Sequence, residues 1–170
     1  GKALWRDEDI ADSITAHAVR FIHDHAESPF FLYFCTNDVH VPRMPHERFR
    51  GKSPMGLRGE AILQFDDTVR RLTEALRSEG LADNTLIILT SDNGPVLDDG
   101  YEDYAEELAG SHLPGGPFRG GKYSSYEAGS VVPFIVCGTQ AVKAGHVSDA
   151  LVSQVDLAAT MAELVGVELP

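Results

Sequence analysis

The sequence predicts an α/β fold in which helices flank a mostly parallel sheet. Residues 30–36 and 85–90 are apolar runs without polar alternation, the pattern of strands buried on both faces. The stretches beside them repeat apolar residues every three or four positions, which is the helical period. The order is helix, strand, helix, strand, long loop, strand, helix, and alternation of this kind implies a layered sheet with crossover helices.

In chain order, Ile10, Ile14, His17, Ala18 and Phe21 share one helical face, with Asp7 placed to act as N-cap, so a helix is predicted over residues 8–26. Pro29 precedes the first strand, 30–36. Residues 37–55 contain Pro42, Pro45 and Pro54 and read as a loop. Ile62, Phe65, Val69, Leu72 and Leu76 alternate steps of three and four, and Gly80 is placed to end that helix in a left-handed conformation. A second strand follows at 85–90, then a loop to Lys122 rich in Gly, Pro and acidic residues. Residues 131–137 form a third strand, interrupted by Pro133; lacking an N–H for a ladder, proline marks an edge or a strand start. Asp156 is positioned to cap a last helix through Leu157, Met161, Leu164 and Val165, ending at Gly166.

The 170 residues suit a single domain with its own core. They carry 14 Lys+Arg against 26 Asp+Glu, a net charge of −12. That balance excludes a general nucleic-acid binder, which needs a basic footprint, and electrostatic docking on an anionic membrane. No apolar run approaches the roughly 20 residues that span a bilayer, so no membrane insertion is expected. Cys35 and Cys137 alone exclude a disulfide-rich scaffold and a four-cysteine zinc site; both are expected buried and free, in different strands. The first five residues and 167–170 read as cuts through a longer chain.

Ligands of parallel sheets bind beyond the carboxyl ends of the strands, where three segments carry chemistry. In Ser91-Asp92-Asn93-Gly94 the side chains of Asp92 and Asn93 offer adjacent oxygens that suit a hard cation such as calcium; the same residues also fit an Asx–Gly turn that needs no metal. After the first strand, His40 can hold an anion or transfer a proton and Arg43 can form a bidentate anion contact; taken alone, the plainer readings are a loop His bonded to backbone and a solvated Arg. Arg119-Gly120-Gly121-Lys122 places two cations around glycines that permit close backbone approach, without P-loop spacing. His112 lies among Pro114, Gly115 and Gly116 and can reach a substrate from the same long loop. The acidic run from Asp98 to Glu107 lacks calcium-loop spacing and reads as a solvated face.

The stretches PFFLYFCTNDVHVPR (29–43), NTLIILTSDNG (84–94), FRGGKYSSYEAGSVVPFIV (118–136) and SQVDLAATMAELVGV (153–167) resemble, in order and spacing, the sulfatase family of the alkaline-phosphatase-like superfamily, most closely bacterial polysaccharide sulfatases. The resemblance implies sulfuric ester hydrolysis, with sulfated small molecules or glycans as substrates and a periplasmic or secreted location. It assigns Asp92 and Asn93 to calcium and His40 and Lys122 to catalysis; Arg43, His112 and Arg119, read from their own loops, are expected to bind substrate. The family nucleophile is a formylglycine made from a C/S-x-P/A-x-R motif; that motif is absent here, as are the family's N-terminal aspartate pair and C-terminal small sheet. The chain is therefore expected to be the middle-to-late part of a sulfatase catalytic domain, inactive alone, weak in calcium binding and prone to self-association through an uncovered sheet edge. Two alternatives are a phosphodiesterase or phosphomutase of the same superfamily, which would need two transition metals, and a non-catalytic carbohydrate-binding module.

Overall fold

The computed structural model describes residues 4–139 and 142–169. Its elements are α1 (Ile10–Asp24), α2 (Gly56–Ser78), β1 (Asn84–Thr90), β2 (Phe134–Thr139) and α3 (Asp156–Leu164), with single 3-10 turns at Asp7–Asp9, Glu47–Phe49 and Glu127–Gly129.

The helices α1 and α2 pack together through small residues. Ala11, Thr15, Ala18 and Ile22 form the buried stripe of α1, and Ala61, Gln64, Thr68 and Leu76 lie buried on α2. Thr15 Oγ1 donates to the Ala11 carbonyl at 2.6 Å and meets Thr68 Oγ1 at 3.3 Å, so the buried hydroxyls are satisfied at the contact. The predicted cap differs: Asp7 opens the 3-10 turn and accepts from the Trp5 indole, and α1 begins only at Ile10. Gly80 ends α2 as expected, at φ 71°, and the Leu81 N–H bonds the Leu76 carbonyl at 2.8 Å. Gly166 closes α3 the same way, at φ 71°, with Val167 N–H on the Ala162 carbonyl at 2.9 Å. Asp156 is the first residue of α3 rather than its cap; its carboxylate accepts from the Ser153 N–H at 2.9 Å.

A charged lattice joins α1, α2 and the turn at Glu47–Phe49. The Asp12 carboxylate takes both Arg48 and Arg71, the latter at 2.6 Å, and Asp67 takes Arg48 at 3.2 Å and Arg70 at 2.5 Å. The Arg48 hydrogen bond, opposed by partial burial, holds Asp12 below the usual carboxylate range. At Asp67 burial works the other way, but the bonds from Arg70 and Arg48 outweigh it and the carboxyl is again depressed. Both shifts favour the folded state wherever the unfolded carboxyls are ionised. The associated stability is present above pH of about 4 and is lost as pH falls through the lower folded-state values. Thermal melts from pH 7 to pH 2 should therefore show a Tm that drops below about pH 4, and Asp12→Asn should flatten that drop.

The strands β1 and β2 pair antiparallel in register Thr90↔Phe134, Leu89↔Ile135, Ile88↔Val136 and Ile87↔Cys137, with an irregularity before Ile87. The strand β2 starts directly after Pro133, at the strand start that proline predicts. The α/β class is as expected, but the pairing of this couple is not parallel. A parallel return needs a crossover helix, and among the described residues the path from β1 to β2 has only loops and one 3-10 turn. Residues 30–36 pair with no strand among the described residues, so the first predicted strand is not formed as a ladder. Its exposure alternates: Phe31 and Tyr33 are 66% and 80% exposed, while Leu32 and Phe34 are half-buried. Cys35 and Cys137 are free, as predicted, but exposed rather than buried. With the same two-residue period, Cys35 falls on the same uncovered side as Tyr33, and Cys137 on that of Ile135.

Candidate active site

Three loops meet beside the end of β1: 37–43, 91–99 and 118–129. The first is anchored on α2 through buried Asp38, whose carboxylate accepts from Gln64 Nε2 at 2.7 Å and from Thr36 Oγ1 at 2.6 Å. Gln64 in turn accepts the His46 N–H at 2.8 Å, so one buried amide on α2 sets both ends of the loop around His40.

The other two loops join backbone to backbone. Gly94 N–H donates to the Gly129 carbonyl, and Lys122 N–H to the Pro95 carbonyl, both at 2.9 Å. A Cβ on Gly94 would lie 1.6 Å from the Ala128 oxygen, and one on Gly121 would lie 2.4 Å from the Pro95 oxygen. Any larger residue would force the loops apart, which is the physical reason for glycine at both positions.

That junction brings Lys122 Nζ within 3.1 Å of His40 Nε2. The other imidazole nitrogen, Nδ1, lies 2.7 Å from the Val41 carbonyl, which can only accept. The hydrogen-bond pattern therefore assigns the ring proton to Nδ1 and leaves the Nε2 lone pair to accept from the Lys122 ammonium. Each residue has a left-handed non-glycine neighbour: Val39, before His40, at φ 65°, and Tyr123, after Lys122, at φ 72°. Such conformations cost on the order of 1–3 kcal/mol each and persist only where the surroundings impose them. Asp99 completes the corner, accepting from the Tyr123 hydroxyl at 3.0 Å with its other oxygen 4.0 Å from Lys122 Nζ. Neither Asp99 nor Tyr123 was singled out from sequence, since nothing within the acidic run distinguishes the carboxylate that folds back onto the lysine.

Asp92 and Asn93 follow β1 directly. The Asn93 amide nitrogen donates to the Gly94 carbonyl at 2.9 Å, and its oxygen accepts nothing among the described residues. Among the described residues, exposed Asp92 receives only a long 3.4 Å bond from Ser91. Gln154 donates to the Ser91 carbonyl at 2.5 Å, tying the chain before α3 to this turn. The neighbouring Cys35, and more weakly the charge of Asp92, push the Tyr33 phenol up. The two free oxygens match a hard cation in kind, but calcium takes about 6–8 oxygens, so they fit it only as part of a larger set. Among the described residues no group of three or more His, Cys, Asp or Glu converges on a metal position.

The remaining predicted residues part ways. Arg43 is not free for substrate: its side chain is 1% exposed and its Nη1 donates to Asp103 at 2.5 Å. The reason is the inward turn of the loop, which gives the guanidinium three carbonyls besides that carboxylate. Arg119 is exposed, its guanidinium 4.1 Å above the Tyr126 ring. His112 is exposed, and no hydrogen bond joins its ring to His40 or Lys122. No helix among the described residues is long and apolar enough to cross a membrane.

The Sulfatase family profile matches residues 5–167. The chain is 55% identical over 168 residues to an N-acetylgalactosamine-6-O-sulfatase of Bacteroides thetaiotaomicron, covering 99% of this chain and 33% of that protein. A solved Bacteroides thetaiotaomicron structure, described in connection with the metabolism of multiple glycosaminoglycans, superposes with TM-score 0.91 at 52% identity, over 99% of this chain and 35% of the other. Ps i-CgsB in complex with k-i-k-neocarrahexaose superposes with TM-score 0.82 at 29% identity, over 100% of this chain and 37% of the other. The chain thus spans about a third of the length of the relatives it matches.

Proposed function

The chain belongs to the sulfatase family, and from that premise we propose that its His40–Lys122 corner binds and helps cleave the sulfate ester of a sulfated glycan within a larger sulfuric ester hydrolase. Its architecture is the alkaline-phosphatase-like fold of the sulfatases it superposes on. The observation that carries the reading is the 3.1 Å approach of Lys122 Nζ to His40 Nε2, at the point where the loops after the apolar strands converge.

A sulfate monoester is an anion whose charge shifts toward the leaving oxygen as the S–O bond lengthens. Donors fixed around that charge lower the barrier because they need no reorganisation during the reaction. Lys122 carries three N–H bonds. One points to His40, and Asp99, at 4.0 Å, lies beyond hydrogen-bond reach, which leaves two to meet sulfate oxygens. His40 Nε2 faces the same space and, having no proton of its own in this hydrogen-bond pattern, can relay to the bridging oxygen a proton received from the Lys122 ammonium. The Nδ1 bond to Val41 keeps the ring turned that way. Arg119 and His112, both exposed on the long loop, are the side chains from which contacts to the rest of a glycan would come. Asp92 and Asn93 would contribute to the family's calcium, which supplies positive charge against the sulfate. The family's formylglycine nucleophile would come from outside these residues, because the chain lacks C/S-x-P/A-x-R and spans about a third of its relatives. The name of the 55% identical relative supports N-acetylgalactosamine 6-sulfate as the ester.

The test is an assay of the full-length protein with a disaccharide bearing N-acetylgalactosamine 6-sulfate, reading free sulfate by ion chromatography. A phosphodiester is run alongside. Sulfate release with no phosphodiester cleavage is the expected result. Phosphodiester cleavage alone would put the protein in the other branch of the superfamily.

A further inference from the structure

We propose that Arg43, with its partner Asp103, is a positioning residue that holds the His40 loop and the Lys122 loop in register. This rests on the reading that His40 and Lys122 act together on a sulfate ester, and it replaces the substrate contact expected of Arg43 from sequence.

The geometry is a clamp with one jaw on each loop. On one side Arg43 Nε donates to the Val39 carbonyl at 3.2 Å. Val39 is the residue before His40, and its φ of 65° is a conformation that a β-branched side chain resists. A buried donor on its carbonyl is what the strained peptide needs to stay in place. On the other side Nη2 donates to the Val96 carbonyl at 3.1 Å, and Nη1 makes a longer contact to Leu97 at 3.5 Å. Val96 follows Pro95, whose carbonyl holds the Lys122 N–H at 2.9 Å. One rigid guanidinium therefore fixes the backbone next to His40 and the backbone that carries Lys122.

Asp103 fixes the guanidinium itself. It accepts from Nη1 at 2.5 Å through one oxygen, and from the Ala105 N–H at 3.1 Å through the other. Both residues are buried, so the pair sits in a low-dielectric setting where misorientation is costly. Arg58 adds a second grip on Val96, at 3.3 Å. Burial first, and then the charge of Arg43, push the Arg58 pKa down, while Asp103 opposes them. The planar fork matters as well as the charge, because four acceptors in different directions meet donors fixed in one plane.

Two variants of the full-length protein separate positioning from plain stability. Arg43→Met with Asp103→Asn removes both charges and keeps an acceptor for the Ala105 N–H; replacing a buried ion pair by neutral groups is often close to neutral in stability. Arg43→Lys keeps the charge opposite Asp103 and loses the fork, and serves if the double variant does not fold. For either folded variant, kcat on the sulfated disaccharide should fall by about 10²-fold, the cost of misplacing a reacting group by about 1 Å, with a much smaller change in KM. Wild-type kcat in a variant of wild-type Tm would overturn the proposal. A second readout needs no turnover: in imidazole ¹⁵N NMR, wild-type His40 should show a protonated Nδ1 and an unprotonated Nε2, and the variants should lose that pattern. An unchanged pattern would also overturn it. A wild-type protein that releases no sulfate would defeat the sulfatase reading, and the NMR result would still decide whether Arg43 positions His40.

Discussion

Lys122→Ala is expected to lower kcat/KM of the full-length protein on the sulfated disaccharide by about 10²–10³-fold, the usual cost of removing one donor aimed at developing charge. The variant should still fold. What ties residue 122 to the 91–99 loop is its backbone N–H on the Pro95 carbonyl, and alanine keeps that bond. The side chain contributes one bond to His40 and a 4.0 Å approach to Asp99, both at the site rather than in the core. Loss of the ammonium also leaves the Asp99 carboxylate without its neighbouring cation, which adds repulsion of an anionic substrate to the missing attraction. Lys122→Arg should not rescue, since a guanidinium fork cannot replace a point charge hydrogen-bonded to Nε2 at 3.1 Å. Initial rates over a range of substrate concentrations, with matched circular dichroism spectra, check this. A loss under about 10-fold in a folded protein would remove Lys122 from the reaction.

Arg43→Met without a change at Asp103 should destabilise the protein by about 3–5 kcal/mol, because breaking one half of a buried ion pair leaves an uncompensated charge. The carboxylate of Asp103 would remain buried, and the carbonyls of Val39 and Val96 would each lose a donor. Urea titration should show a lower midpoint with an unchanged slope. Removing the Arg43 charge relieves the pressure on Arg58, so Arg58→Met in the Arg43→Met background should cost more than it does in wild type. A loss below about 1 kcal/mol would mean that Asp103 reaches water or another partner, and that the pair is not a buried clamp.

These two cations also show where the sequence is readable. Arg43 and Lys122 both stand in loops near apolar runs, both beside glycine or proline, and the sequence offers Lys122 for catalysis and Arg43 for substrate binding. An anionic substrate on a chain of net charge −12 needs such cations close by. For Lys122 the local signal was informative, because paired glycines before a lysine imply close backbone approach, and Gly121 is pressed against Pro95. For Arg43 nothing local showed that its carboxylate partner lies 60 positions away, in an acidic run that reads as solvated. The first apolar run misled for a related reason. Continuous apolarity predicts burial on both faces, but burial and strand pairing need neighbours, and residues 30–36 have none among the described residues on the side of Phe31 and Tyr33.

The sequence by itself determined the features that depend on a turn or two of chain. Its helical period placed α1, α2 and α3, its positive-φ glycines closed α2 and α3, Pro133 set the start of β2, and the S-D-N-G and G-G-K segments marked the chemistry. Only the tertiary structure decided which charges meet. It paired His40 with Lys122 across 82 positions, folded Asp99 back onto that pair, and buried Arg43 against Asp103. The physical reason is range. Backbone preferences and capping act between residues a few positions apart, whereas a charge in a loop has many distant partners of similar local appearance. The choice among them is made by which loops the packed helices and the paired strands bring into contact.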